Sequence, residues 1–231
     1  MTTEVAHQDV RLPDGTRIAV HRSGDPEKPP LVLLHALGEN ATSWDAVGER
    51  LAPHFSLFAI DLRGHGASEW TGPYSHEGMR DDVLAALDVL GLRDVGLIGH
   101  SLGGVVALFA AMEQPDRVTR LVVEDVVPPF PFERPIRDRP DGPLPFDWDV
   151  LPAIFTEAND PDRRWWPHLR RITAPTLLIG GGPPSHVPAE ELAEVARLIP
   201  DCTLVTIPAG HHVHAAEPEA FTDALLGWLL P

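Results

Sequence analysis

A short apolar run, Val95-Gly96-Leu97-Ile98, leads without a break into Gly99-His100-Ser101-Leu102-Gly103-Gly104 and then into Val105-Val106-Ala107-Leu108-Phe109-Ala110-Ala111-Met112. The first run reads as a strand buried on both faces, and the last as a buried helix that stops near Pro115. A strand that becomes a helix within so few residues must turn sharply. Side chains at the flanking glycine positions would collide with neighbouring strands, so small residues are needed there. The turn strains the backbone at Ser101 and lifts its hydroxyl clear of the sheet. An ordinary helix N-cap serine is the alternative reading.

The rest of the chain repeats this alternation. Val5 to Val20 alternates apolar and polar residues around Pro13-Asp14-Gly15 and is expected to form an antiparallel hairpin. Strands are expected at Leu31–Leu34, Leu57–Ile60, Arg120–Glu124, Pro175–Gly180 and Thr203–Ile207. Helices are expected over Trp44–Leu51, His76–Leu90, Ala189–Ile199 and Phe221–Leu230. Strands alternating with helices indicate a mostly parallel sheet covered on both faces.

One segment interrupts the rhythm. Pro128 to Trp148 is rich in proline, with Phe130, Phe132, Phe146 and Trp148 set among charges, and no strand or regular helix fits it. A short helix carrying Trp165 and Trp166 is expected within Asp162–Arg171. The region from 128 to 172 therefore reads as one insertion over an end of the sheet, within a single domain spanning 1–231.

Composition limits the partners. The chain has 231 residues, 43% of them apolar, enough for one large α/β domain. A net charge of −16 repels nucleic acid and anionic lipid, so neither is an expected partner. No apolar run approaches membrane-spanning length, and Met1-Thr2-Thr3-Glu4 carries no signal-like region. With a single cysteine, Cys202, no internal disulfide is possible, and the expected location is cytoplasmic. Oligomeric state is not readable from the sequence.

A serine raised on such a turn needs a base to take its proton, and histidine has the pKa for it. Twelve histidines compete. Gly210-His211 follows the last expected strand, with His212 and His214 close behind, while His35 and His65 sit in loops where hydrogen bonding is the simpler role.

Three further stretches join these. Leu31-Val32-Leu33-Leu34-His35-Ala36-Leu37-Gly38, Asp61-Leu62-Arg63-Gly64-His65-Gly66-Ala67-Ser68 and the turn at Ser101, followed late by Gly210-His211, together resemble the α/β-hydrolase-fold serine hydrolases. The resemblance covers nearly the whole chain. It implies an eight-stranded, mostly parallel sheet flanked by helices, with a short lid between strands 6 and 7. It implies Ser101 as nucleophile and His211 as base, with the backbone N–H groups of Leu37 and Leu102 as the oxyanion hole. Ala36 stands where the family more often has glycine.

The third triad member departs from the family pattern. The resemblance implies an aspartate three residues before Val187-Pro188, but Pro184 stands there, and Leu177 to Ala189 holds no carboxylate. Asp125, 24 positions after Ser101 at the end of the preceding strand, can reach the same histidine from the neighbouring side. An acid that orients a histidine needs proximity rather than a particular strand. Glu124, a working dyad, or two acids that merely end the strand are the alternatives.

Other chemistries are weaker. Gly180-Gly181-Gly182 lacks the G-K-[ST] of a phosphate loop, and no cofactor is expected. His211-His212-Val213-His214 has no carboxylate or cysteine set at ligand spacing beside it, so no metal is expected. Trp44, His100, Phe130, Phe132, Trp148 and Trp165 are candidates to line a substrate pocket, with packing of the insertion as the alternative for the aromatics. About 48 residues separate Val127 from Pro175, short for this lid, which points to a shallow, open site. The expected activity is hydrolysis of an apolar carboxylic ester or lactone through an acyl-enzyme. Thioester, C–C bond or peracid chemistry on the same residues, or a non-hydrolytic small-molecule receptor or cyclase, are the competing readings.

Overall fold

The computed structural model describes residues 5–132, 135–136 and 138–230. Met1–Glu4, on which the reading of the N-terminus rests, lie outside them, as do Glu133, Arg134 and Arg137 of the insertion. The strands are β1 (Ala6–Arg11), β2 (Arg17–Gly24), β3 (Pro30–Leu34), β4 (Ser56–Ile60), β5 (Val95–His100), β6 (Val118–Glu124), β7 (Thr176–Gly180) and β8 (Cys202–Thr206). They form one sheet in the order β1-β2-β4-β3-β5-β6-β7-β8. The β1–β2 hairpin is antiparallel and joins β4 antiparallel; every other pairing is parallel.

The apolar runs are continuous because both faces are covered. Along β3, Val32 and Leu34 point to one apolar layer and Leu31 and Leu33 to the other. The first layer holds α2 (His76–Val89), α3 (Leu102–Glu113) and α5 (Ala189–Leu198), through Val83, Leu87, Val106, Phe109, Leu192 and Val195. The second holds α1 (Asp45–Leu51) and α7 (Pro218–Leu229), through Val47, Leu51, Phe221 and Leu225. Alternation at period two thus loads both layers from one strand.

The insertion departs from expectation in one element. Pro128–Asp149 forms no strand or helix among its described residues beyond single bridges at Phe130 and Phe146, but α4 (Val150–Ala158) follows. Pro152 lies in the first turn of α4, where a missing N–H costs nothing. The Asp162–Arg171 helix is a 3-10 segment, Trp166–Arg171, with Trp165 just ahead of it. The insertion is fastened to the body at several points. His76 donates to Glu157 at 2.8 Å and Arg163 pairs with Glu191 at 2.6 and 2.7 Å, while within the insertion the Trp166 indole donates to the Pro129 carbonyl at 2.9 Å. A four-residue helix, α6 (Val213–Ala216), precedes α7 and was not expected from the sequence.

Candidate active site

Ser101 stands between β5 and α3 with φ 51° and ψ −115°, a left-handed conformation rare for a residue with a Cβ. The surroundings explain why the flanking positions are glycine. A Cβ on Gly99 would lie 2.3 Å from the Gly103 carbonyl oxygen, and one on Gly103 would lie 2.3 Å from that of Leu34. The helix start is packed directly onto the ends of β3 and β5, with Gly103 N–H donating to the His35 carbonyl at 3.1 Å.

Asp125 directly follows β6 and also has a positive φ, 46°. Its N–H still donates to the Ile179 carbonyl at 2.7 Å, so the backbone leaves the β7 ladder only after that bond. The turn sends its side chain across the end of β7, where it is completely buried. Oδ1 accepts from the Gly181 N–H at 2.6 Å, and Oδ2 accepts from the Ser185 hydroxyl and from His211 Nδ1, the latter at 2.8 Å. Burial raises the pKa of this carboxyl, but hydrogen bonds from His211, Ser185 and Gly181 outweigh it and hold the pKa below the usual range. The group is therefore an anion that can only accept, so Nδ1 of His211 carries a proton.

His211 Nε2 then faces Ser101 Oγ at 3.0 Å as an acceptor. The Ser101–His211–Asp125 chain is continuous, and it uses the carboxylate 24 residues after the serine. Pro184, in the slot where the family pattern has its acid, packs against the Gly210 turn that leads into His211. The glycine run has a mechanical role. A Cβ on Gly181 would lie 1.9 Å from the Gly210 carbonyl oxygen, so this strand exit admits only glycine if the His211 turn is to lie against Asp125. Glu124 is not the partner of His211. It is fully buried on the other side of the strand and accepts from His214 Nδ1 at 2.8 Å and from the His214 N–H at 2.9 Å.

Leu102 is the first residue of α3, so its N–H is among the helix-start donors that have no intrahelical acceptor. Leu37 lies on the loop after β3, and both residues border the same cavity as Ser101 and His211. His35 and His65 brace the loops, as expected. His35 accepts from the Leu62 N–H at 3.0 Å and donates to the Ala36 carbonyl at 2.7 Å, joining the β3 and β4 loops. Burial lowers its pKa to about 4 and that of His65 to about 3, so both are neutral.

The cavity measures about 650 Å³, within the usual range for small-molecule sites. It is larger than the short insertion suggests, because α4 lays Leu151, Ile154 and Phe155 along it. Among the expected pocket residues, Phe130, Phe132 and Trp148 border it. Trp44, His100 and Trp165 do not, and those three assignments are corrected. The 3-10 turn Ala41–Trp44 sends Trp44 into the second apolar layer, where it stacks on His214 at 4.3 Å. Trp165 packs on Phe109 of α3 at 4.1 Å. His100 is fully buried behind the site, donating from Nε2 to the His211 carbonyl at 2.8 Å.

Two residues escape a reading of the sequence. Ser185 donates to Asp125, and His186 borders the cavity with its ring 4.2 Å from that of His211. They follow immediately on Pro184, in the slot where the acid is missing, but nothing in that position names their partners.

Comparison with known proteins agrees with this architecture. The mouse sn-1-specific diacylglycerol lipase ABHD11 is 27% identical over 89% of this chain and 82% of its own length. A protein described as a putative esterase/lipase of Haemophilus influenzae is 28% identical over 87% of this chain and 83% of its own. The crystal structure of a hydrolase from Pseudomonas aeruginosa PA01 superposes with a TM-score of 0.83 at 29% identity, covering 97% of this chain and 98% of that one. Residues 29–163 match the family model described as alpha/beta hydrolase fold. With that match over more than half its length, an eight-stranded sheet in the same arrangement and a serine on the turn after β5, the chain belongs to the α/β hydrolase fold family.

Proposed function

We propose that this protein is a serine hydrolase that cleaves a carboxylic ester or lactone with an apolar acyl or alcohol group, through an acyl-enzyme. The observation that carries the reading is the Ser101–His211–Asp125 hydrogen-bonded chain opening into an apolar cavity. The mouse and Haemophilus relatives, one a diacylglycerol lipase and the other a putative esterase/lipase, support ester chemistry.

In this mechanism Ser101 Oγ attacks the ester carbonyl while His211 Nε2 takes its proton. Asp125 holds the imidazole in the needed tautomer and stabilises the imidazolium that forms. The negative charge on the former carbonyl oxygen falls between the N–H groups of Leu37 and Leu102. Collapse of this adduct expels the alcohol, which receives the proton from His211. A water molecule then gives its proton to His211 and attacks the acyl carbon, and Ser101 recovers the proton as the acid leaves. A lactone gives the same sequence with alcohol and acid in one product. The insertion at 128–172 serves as a short cap: Phe130, Phe132, Trp148 and α4 supply the apolar wall that receives the non-reacting part of the substrate.

The test is labelling by a fluorophosphonate probe, followed by a series of p-nitrophenyl esters from acetyl to decanoyl. Labelling that disappears in Ser101→Ala, with kcat/KM rising with acyl length before it falls, supports the reading. Wild-type protein that resists the probe and turns over no ester would refute it and leave a non-hydrolytic binder on the same fold.

A further inference from the structure

Behind the site, Glu39, His100 and His214 converge. One ligating atom of each lies within 4.8 Å of the other two. The two histidines are 0% and 2% exposed, and His100 Nδ1 and His214 Nε2 are buried nitrogens without a hydrogen-bond partner. We propose that Glu39, His100 and His214 form a binding site for one divalent metal ion of the zinc type.

The argument begins with the far side of each ring. His100 Nε2 points at the His211 carbonyl at 2.8 Å, and a carbonyl can only accept, so the proton lies on Nε2. His214 Nδ1 points at the Glu124 carboxylate at 2.8 Å, so its proton lies on Nδ1. With one proton on each ring, the form a metal ligand needs, the remaining nitrogen is a lone pair, and these are the two unpartnered atoms. Glu39 Oε2, an acceptor, stands 3.9 Å from His100 Nδ1. Two such lone pairs face the Glu39 carboxylate, which accepts from the Ala36 N–H at 3.3 Å, and together they make a pocket that a cation satisfies. A histidine whose other nitrogen donates to a carboxylate or a backbone carbonyl is the usual support of a metal ligand.

Ligand type and access agree with this. Two imidazoles and one carboxylate suit zinc, whose bonds of about 2.0–2.2 Å require the three atoms to draw together. Glu39, with its side chain 24% exposed, lies nearest the surface and marks the entry. His212 Nδ1 stands 3.2 Å from Glu39 Oε1 and pairs with this carboxylate from the solvent side.

Position gives the ion a role. Glu39 follows Leu37 by two residues, His100 immediately precedes Ser101, and His214 follows His211 by three. One ion would tie together the loop after β3, the end of β5 and the turn into α6, which carry the proposed oxyanion donor, nucleophile and base. This role rests on the proposed function; the metal binding does not.

The test uses the full chain, stripped with a chelator and titrated with Zn²⁺ and, separately, Co²⁺. One Zn²⁺ bound per chain is expected, with a higher Tm and a visible Co²⁺ spectrum of tetrahedral type. Glu39→Gln should weaken binding at least tenfold and, at its half-buried position, should leave the fold intact. Glu124→Gln, which disturbs the support of His214, should weaken it by about ten- to a hundredfold. Stripped protein that takes up no Zn²⁺ would overturn the proposal. So would binding unchanged in Glu39→Gln, or binding lost instead in His7→Ala, which breaks up the His7–His21 ring pair on the hairpin. Because esterase activity is not the readout, failure here and failure of the hydrolase reading are separate results.

Discussion

Replacing Asp125 by asparagine tests the proposed triad at its least conventional member. The amide is the same size as the carboxylate but must point its NH2 group at one of two sets of donors. On the Oδ1 side stands the Gly181 N–H at 2.6 Å, a backbone donor with no alternative direction. Opposing it with NH2 would strand two buried donors, at a cost of about 1–3 kcal/mol. On the Oδ2 side stand the Ser185 hydroxyl, which can rotate to accept, and His211, which can change tautomer. The asparagine therefore keeps its carbonyl on Gly181 and turns its NH2 toward His211. His211 Nδ1 then accepts, the proton moves to Nε2, and the ring can no longer take the proton of Ser101. The expected loss in kcat is on the order of 10³–10⁴, or roughly 4–5 kcal/mol of transition-state stabilisation. Burst and steady-state kinetics with p-nitrophenyl acetate measure it, with circular dichroism and Tm to show the fold intact. Glu124→Gln is the control, because Glu124 addresses His214 and not His211. Asp125→Asn activity within tenfold of wild type, or a larger loss in Glu124→Gln, would refute the reasoning.

Three further outcomes are expected. Ser185→Ala removes one of three hydrogen bonds to the Asp125 carboxylate, and kcat should fall by roughly five- to tenfold, as stopped-flow acylation would show; an unchanged rate would make Ser185 a bystander. Gly103→Ala places a Cβ 2.3 Å from the Leu34 carbonyl oxygen and should cost about 1–3 kcal/mol or more in urea unfolding, whereas Gly227→Ala, with open space at its Cβ, should not destabilise. His35 is neutral when folded because burial lowers its pKa to about 4. Its unfolded form binds a proton near pH 6.5, so the unfolded state holds more protons between these values and stability falls as pH drops from about 6.5 to 4. That loss is on the order of 3 kcal/mol, and His35→Gln should flatten this part of the stability-against-pH curve measured by chemical denaturation.

The local order of elements was legible because each depends on short-range chemistry. Continuous apolar runs marked strands covered on both faces, as Leu31–Leu34 shows, and glycine at 99 and 103 marked the turn that raises Ser101. α4 was obscured by Pro152, a helix breaker in general that is harmless in a first turn. Asp125 was reachable by elimination, since the usual slot holds Pro184 and parallel order places the end of β6 beside β7. Ser185 was not, because a hydroxyl beside a proline has no pattern that names its partner.

Side-chain direction belonged to the tertiary structure alone. Trp44 and Trp148 are equally aromatic, yet the one nearer the motifs in sequence turns into the second apolar layer and the other borders the cavity. Which way each points depends on the packing of elements distant along the chain. The same holds for Glu39, His100 and His214. The His211–His214 run by itself lacks a carboxylate at ligand spacing; only the folding of the β3 loop against the ends of β5 and β6 brings Glu39 to it, with Glu124 behind. Sequence by itself determined the order of the strands and of the helices other than α4 and α6, and pointed to Ser101 and His211. Tertiary structure decided which carboxylate meets which histidine, because a charge finds its partner across space and not along the chain.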